Sequence, residues 1–323
     1  MMNLHEDADA FLALINYVSE ITGIAGDILE KDYYATLMLY ELSQKQNELK
    51  AYFKGGTALY KALKSIRRFS EDIDLTVDVS DCSNPSQQKK RLEQAAKKYS
   101  VLPRTTDPTR KKQEIDQRGT ITSIYDYVPI TNVRPEDRLQ RFGCVKIEAT
   151  SFGVSEPFDD IEIESIVSQH ANDDQKHVLR TRYDTHSFKI KTITLERIFA
   201  DKIFAAELCL RHELYFDSAK HIYDLAVLFR QEQILLFVAN QKEFLRIIKL
   251  KRKEEAAWRG SDLSNRPFNE FMLSGKISEN INLKEAFESM QEIYIFNQKD
   301  RLDFDDVSNC INMLFGILVS LVG

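Results

Sequence analysis

Cysteine is scarce: four residues among 323, at Cys82, Cys144, Cys209 and Cys310, none in a C-x-x-C spacing. This excludes a zinc ribbon or a disulfide scaffold and fits a reducing cytoplasm. A surplus of basic residues is also missing. There are 44 Lys and Arg against 50 Asp and Glu, a net charge of −6. A protein that coats nucleic acid needs the opposite balance, so any nucleic-acid partner is expected in one local groove. No long apolar run is present. Ile311–Val322 is the longest, about 12 residues broken by Asn312 and Ser320, where a membrane span needs about 20. The first residues, MMNLHEDADAFLALINYV, begin acidic, so a signal peptide is not expected. Internal repeats and low-complexity tracts are absent.

What is there is ordinary globular composition, 43% apolar and 29% charged. At about 150 residues per domain the length predicts two domains. Either can bury a core without a staple.

Residues 4–47 read as two helices punctuated by Gly23 and Gly26, with Asp27 as a cap for a helix from Ile28. From Ala51 the period changes. AYFK reads as a strand, Gly55-Gly56 as a turn, and TALYKALKSI as a helix. Next, DIDLTVDV alternates: Ile73, Leu75, Val77 and Val79 on one face, Asp72, Asp74, Thr76 and Asp78 on the other. That is a half-buried strand. Residues 81–118 read as an insertion or arm, rich in positive charge, with a polar helix after Asn84-Pro85. Strand patterns return at GTITSIYDYVPI, CVKIEATSF, DDIEIESIV and HSFKIKTI. From Thr194 the pattern is helical to the end. The shift near residue 190 divides the chain into 1–192 and 193–323.

Asp72 and Asp74 stand two apart on a strand, so their side chains share a face about 6.6 Å apart at Cα. Paired carboxylates suit a divalent cation such as Mg²⁺ or Mn²⁺. Alone, the pattern reads equally as the solvated edge of a half-exposed sheet. Gly55-Gly56-Thr57, between strand and helix, offers backbone amides to an anion such as a phosphate. Alone, it reads as a tight turn.

Together the two features have the order of the polymerase-β-like nucleotidyltransferases. FKGGTALYKALKSIRRFSEDIDL resembles, more narrowly, the AbiEii family of nucleotidyltransferase toxins. LEKDYYATLML, LERIFADKIFAA and KHIYDLAVL resemble its other motifs, so the likeness covers about residues 28–230. Fourteen residues separate Thr57 from Asp72, longer than the generic spacing and in agreement with the AbiEii one.

The resemblance implies an α+β fold: a polymerase-β-like core of mixed sheet with flanking helices, then a C-terminal helical bundle completing the cleft. It implies Asp72 and Asp74 as ligands for Mg²⁺ or Mn²⁺, with a third carboxylate on a neighbouring strand. Glu148 fills that place, with Lys146 on its face; Glu162 and Glu164 are rivals. Lys54, Gly55, Gly56, Thr57, Arg68 and Ser70 would bind nucleotide, with Arg67 nearby. Lys202 would hold the triphosphate. At helical spacing it lies within the stripe Leu195, Ile198, Phe199, Ala206 and Cys209, while Glu196, Arg197, Asp201, Glu207 and Arg211 point away. A lysine on a buried face needs a partner. Asp224, the one charge in IYDLAVLF, is the candidate; a structural salt bridge between the two is the bland alternative. The six histidines show no metal or triad spacing. Trp258 follows the basic run KLKRKEEAA, which could touch RNA or simply be a solvated face.

The implied activity is metal-dependent transfer of an NMP from an NTP to an RNA acceptor such as a tRNA 3′ end. The setting would be a cytoplasmic, monomeric toxin with an antitoxin that forms no tight complex and with no membrane partner. Two alternatives stay open: a protein or small-molecule acceptor, and a non-catalytic nucleotide- or RNA-binding module.

Overall fold

The computed structural model describes residues 2–132, 142–153, 155–183, 185–257 and 262–322. Trp258 and Arg259 of the basic run lie outside the described residues. The chain clusters into two compact units. The first takes residues from 1–62, 71–151 and 158–192; the second takes them from 63–70, 152–157 and 193–323.

In the first unit, α1 (Ala8–Thr22) is capped by Asp7, whose carboxylate accepts from the Ala10 amide, and ends at Gly23. α2 (Gly26–Leu49) starts with Ala25 at the cap, so Asp27 sits inside the first turn and is buried. Seven strands follow: β1 (Ala51–Lys54), β2 (Ile73–Val77), β3 (Asp116–Gln117), β4 (Thr120–Asp126), β5 (Cys144–Thr150), β6 (Phe158–Ile163) and β7 (Phe188–Ile193). They form one sheet in the order β3-β4-β5-β2-β1-β7-β6. β2 runs antiparallel to β1 and parallel to β5, and β4 runs antiparallel to β5. The sheet is therefore mixed and the fold α+β, as expected. Alternation explains β2 and β5: Ile73, Leu75, Val145, Ile147 and Ala149 are buried on one face, and the acidic positions point to the other.

Two expectations change here. The helix after the glycines is short: α3 (Gly55–Thr57) passes into a single π-helical turn over Ala58–Ala62. Residues 81–118 are not a free arm. α4 (Pro85–Lys97) buries Leu92, Ala95 and Ala96, one stripe at helical spacing, and Tyr125 Oη donates to the Ala96 carbonyl at 2.8 Å. Much of the positive charge there is also paired. Arg91 holds Asp81, Lys89 and Lys97 hold Asp116, and Arg104 holds Glu114. α5 (Pro108–Lys111), α6 (Ile166–His170) and α7 (Asp173–Arg182) are further helices of this unit.

The second unit is helical: α8 (Leu195–Arg211), α9 (Tyr215–Leu228), α10 (Glu232–Ala239), α11 (Gln241–Ala257), α12 (Ile281–Tyr294) and α13 (Phe304–Val322). α8 is buried on more than its apolar stripe. Arg197 and Glu207, expected to face away, are 1% and 0% exposed. Arg197 is held by Asp201 and Glu254; Glu207 accepts from Arg211 Nε and from the Met272 and Leu273 amides. A charge tolerates burial when opposite charge and hydrogen bonds offset its desolvation. Residues 298–321 are long and apolar enough to cross a membrane by length and composition. Within them Val307, Ile311, Leu314, Phe315 and Leu318 are buried in this unit, which is the stripe of a core helix. None of the four cysteines forms a disulfide.

Candidate active site

The polar face of the sheet carries a row of side chains in register. Lys54 of β1 pairs with Asp74 of β2, Asp74 with Glu148 of β5, and Glu148 with Thr122 of β4. Register partners on adjacent strands point to the same face. Asp72 lies two residues before Asp74, and Lys146 two residues before Glu148. Lys146 Nζ meets Asp72 Oδ2 at 2.6 Å, and Lys54 Nζ donates to Thr150 Oγ1 at 3.1 Å.

These charges shape one another. Burial, then Glu148, then Asp72 push the Asp74 carboxyl up to about 7, against the opposing pull of Lys54 and Lys146. Burial alone would depress the Lys146 ammonium, but Asp72, Asp74 and Glu148 outweigh it and hold it above its usual value. The row is therefore short of positive charge even with two lysines in place. At its end, Thr122 is buried and its hydroxyl has no hydrogen-bond partner among the described residues.

The glycine turn is folded onto this row. Gly55 has φ +78°, and a Cβ built on it would come within 2.0 Å of Asp74 Oδ2. Thr57 Oγ1 donates to the Asp72 carbonyl, which ties the turn to the residue just before β2. Gly55→Ala is expected to lower activity at least about 100-fold. It combines a left-handed backbone cost of about 1–2 kcal/mol with displacement of Asp74. Steady-state kinetics and a melting curve check it; wild-type kcat/KM in the variant would remove Gly55 from the site.

Among the described residues no group of three or more His, Cys, Asp or Glu side chains is gathered tightly enough to hold a metal ion. The donor chemistry nevertheless suits a hard cation. Three carboxylates share one face, one of them driven toward neutrality by burial and then by the other two, and a hydroxyl without a partner among the described residues stands beside them.

In the second unit, Asp224 is fully buried between two cations. Arg68 grips it with Nε and Nη2, both at 2.7 Å, and Lys202 Nζ lies 2.9 Å from Oδ2. Burial alone would raise this carboxyl; Arg68 and Lys202 outweigh it and bring it down to about 2. His221 Nδ1 lies 3.2 Å from Lys202 Nζ. With an ammonium as donor, Nδ1 accepts, so the proton is assigned to Nε2. Burial, then Lys202, push His221 well below its ordinary value, against Asp224 and with Arg68 and Lys220. His221 is thus neutral in the fold, while the unfolded chain protonates it below about pH 6.5. Its contribution is complete above that value and declines as pH falls. His221→Asn should therefore lose less stability than wild type between pH 7 and 5 in urea unfolding; parallel curves would show that His221 is not the titrating group.

The pairing of Lys202 with Asp224 is the one the sequence proposed. Arg68, expected on phosphate, holds Asp224 with its guanidinium, a pairing that no local pattern announced. Arg67 donates to the Lys64 carbonyl, and Ser70 ends the segment 63–70. Glu162 lies on β6, three strands from β2 at the sheet edge, and accepts from Ser187 Oγ; Glu164 follows that strand. Lys146, which the strand pattern places beside Glu148, meets Asp72 as well, a contact that no local spacing reveals.

The family described as "Nucleotidyl transferase AbiEii toxin, Type IV TA system" matches residues 37–307. No curated protein matches. Among solved structures the chain is similar to MenT4, a nucleotidyltransferase toxin from Mycobacterium tuberculosis H37Rv. The two are 15% identical with a TM-score of 0.50, over 93% of this chain and 98% of that one. At that identity the likeness is one of fold.

Proposed function

The chain belongs to the AbiEii family of nucleotidyltransferase toxins of type IV toxin–antitoxin systems, and from that premise we propose metal-dependent NMP transfer from an NTP to a tRNA 3′ end. The observation that carries this reading is the Gly55 turn lying directly against Asp74 in a row of opposed charges. A phosphate-binding turn and a carboxylate pair are then held at one place by backbone geometry rather than by long flexible side chains.

The amides of Gly55, Gly56 and Thr57 and the Lys54 ammonium are assigned to phosphate oxygens. Asp72, Asp74 and Glu148 would hold Mg²⁺ or Mn²⁺, which supplies positive charge against the triphosphate and a more acidic acceptor hydroxyl. The acceptor oxygen attacks the α-phosphorus, the bond from that phosphorus to the bridging oxygen breaks, pyrophosphate leaves, and the hydroxyl proton passes to water. The protein's part is positioning and electrostatics. Arg68 and Asp224 take a positioning role, with Asp224 holding the Lys202 side chain at 2.9 Å. Lys202 is assigned to the triphosphate, so Lys202→Met should raise KM for NTP at least about tenfold; an unchanged KM would leave it a structural lysine. The setting is the cytoplasm, where NTP and tRNA are, with a monomeric toxin and an antitoxin that forms no tight complex.

The test is incubation of the purified protein with each α-labelled NTP, Mg²⁺ and total RNA, in parallel with protein and metabolite fractions. Label on tRNA 3′ ends, with pyrophosphate released, is the expected result. Label on protein or a small molecule would replace the acceptor, and label nowhere would overturn the reading. Mass spectrometry of RNA from cells expressing the protein gives the same answer in vivo.

A further inference from the structure

Helix α2 carries three consecutive charges, Glu30, Lys31 and Asp32, all 3% exposed or less. Successive helical residues point about 100° apart, so the three fan out to different partners. Glu30 accepts from the Ile130 and Thr131 amides at 2.8 and 3.1 Å and from Thr131 Oγ1. Lys31 Nζ is 4.0 Å from Glu71 Oε2, and Glu71 directly precedes Asp72. Asp32 accepts from Lys61 Nζ at 2.6 Å and from the Ile166 amide at 2.7 Å.

Lys61 is the important partner. It lies in the π-helical turn that follows Gly55–Thr57, and its side chain is 2% exposed. A buried ion pair contributes little net stability, because desolvation offsets most of the attraction. What such a pair does well is fix one geometry. The turn is tied at its front to the carboxylate strand, through Thr57 and the close approach of Gly55 to Asp74. It is tied at its back to α2 through Lys61. The backbone amides assigned to phosphate lie between these two anchors.

We propose that Asp32 and Lys61 are positioning residues for nucleotide binding: their buried pair sets the Gly55–Thr57 turn at its working distance from Asp72 and Asp74. Lys31, at the adjacent position of α2, lies 4.0 Å from Glu71 in the segment that leads into that strand. This rests on the proposed function, since it presumes that the turn binds phosphate.

The test compares wild type with the double variant Asp32→Asn/Lys61→Met, which removes both charges together and leaves no orphaned ion. Three readouts are needed: Mg·NTP binding by calorimetry, the KM-against-kcat split of transfer, and a melting curve without nucleotide. A fold loosened only at the turn should melt within a few degrees of wild type, bind NTP at least tenfold more weakly, and keep kcat within about threefold. A double variant that is folded and binds NTP as wild type does overturns the proposal. Should the double variant not fold, Lys61→Gln, which gives up the ion pair and is one atom shorter than lysine, carries the same expectation and the same refutation. Wild type that binds no NTP overturns the functional reading along with the positioning role, whereas wild type that binds NTP separates the two.

Discussion

Asp74→Asn is expected to abolish nucleotidyl transfer, by about 10³-fold or more, while making the metal-free protein more stable. The two effects have one cause. Asp74 lies in register between Lys54 and Glu148, and its carboxyl is pushed up to about 7 by burial, Glu148 and Asp72. Its pKa in the fold thus exceeds its unfolded value near 3.8. The native state favours the protonated form, so the contribution to stability is intact below pH 3.8 and is lost as pH rises through about 7. Above that pH the charged side chain destabilises the fold, and the neutral amide relieves a penalty on the order of 1–3 kcal/mol. Urea unfolding in EDTA should show the gain at pH 8 and little difference at pH 4. Adding Mg²⁺ should narrow the gap at pH 8, because only the wild-type row binds the ion. Retained transfer, or a less stable variant at pH 8, would remove Asp74 from the assigned site.

Asp224→Ala has the opposite character. It leaves two buried cations, Arg68 and Lys202, with side chains 4% and 7% exposed and no counter-charge between them. Breaking a buried pair by removing one partner costs about 3–5 kcal/mol, and here one carboxylate serves two partners. Asp224→Asn should cost less, because the amide oxygen still accepts from the guanidinium. In wild type the Asp224 carboxyl is brought down to about 2, below its unfolded value. Its contribution is therefore present above pH 3.8 and is lost as pH falls through about 2. A loss under about 1 kcal/mol for Asp224→Ala at pH 7 would mean that Arg68 and Lys202 reach other partners easily.

These two carboxylates also mark the limit of what a linear pattern reveals. Strict alternation placed Asp72 and Asp74 on the polar face of β2, and an isolated charge within an apolar helix marked Asp224 as buried. The Gly-Gly-Thr turn, β4 to β7 and the helical character after Thr194 were legible on the same grounds, and the motifs carried the family. All of these are local: period 2, period 3.6, or one turn. The amphipathic stripe of α4 was local too, but its charges hid it, and residues 81–118 read as an arm.

The chain's own order of residues determined the elements, the acidic face of β2 and the membership of the AbiEii family. Only the tertiary structure decided which charges meet. Arg68 reaches Asp224 across 156 residues of sequence and Asp32 reaches Ile166 across 134. Glu148 stands beside Asp74 because β5 pairs in parallel with β2, a register that no spacing in the sequence records. Arg197 is buried against Glu254 and Glu207 against the Met272 and Leu273 amides, partners that lie 57 to 66 residues away. The physical reason is common to all four. Alternation and helical period specify which way a side chain points from its own backbone. Desolvation then makes a buried charge depend on what stands opposite, and that is set by strand register and by the packing of distant segments.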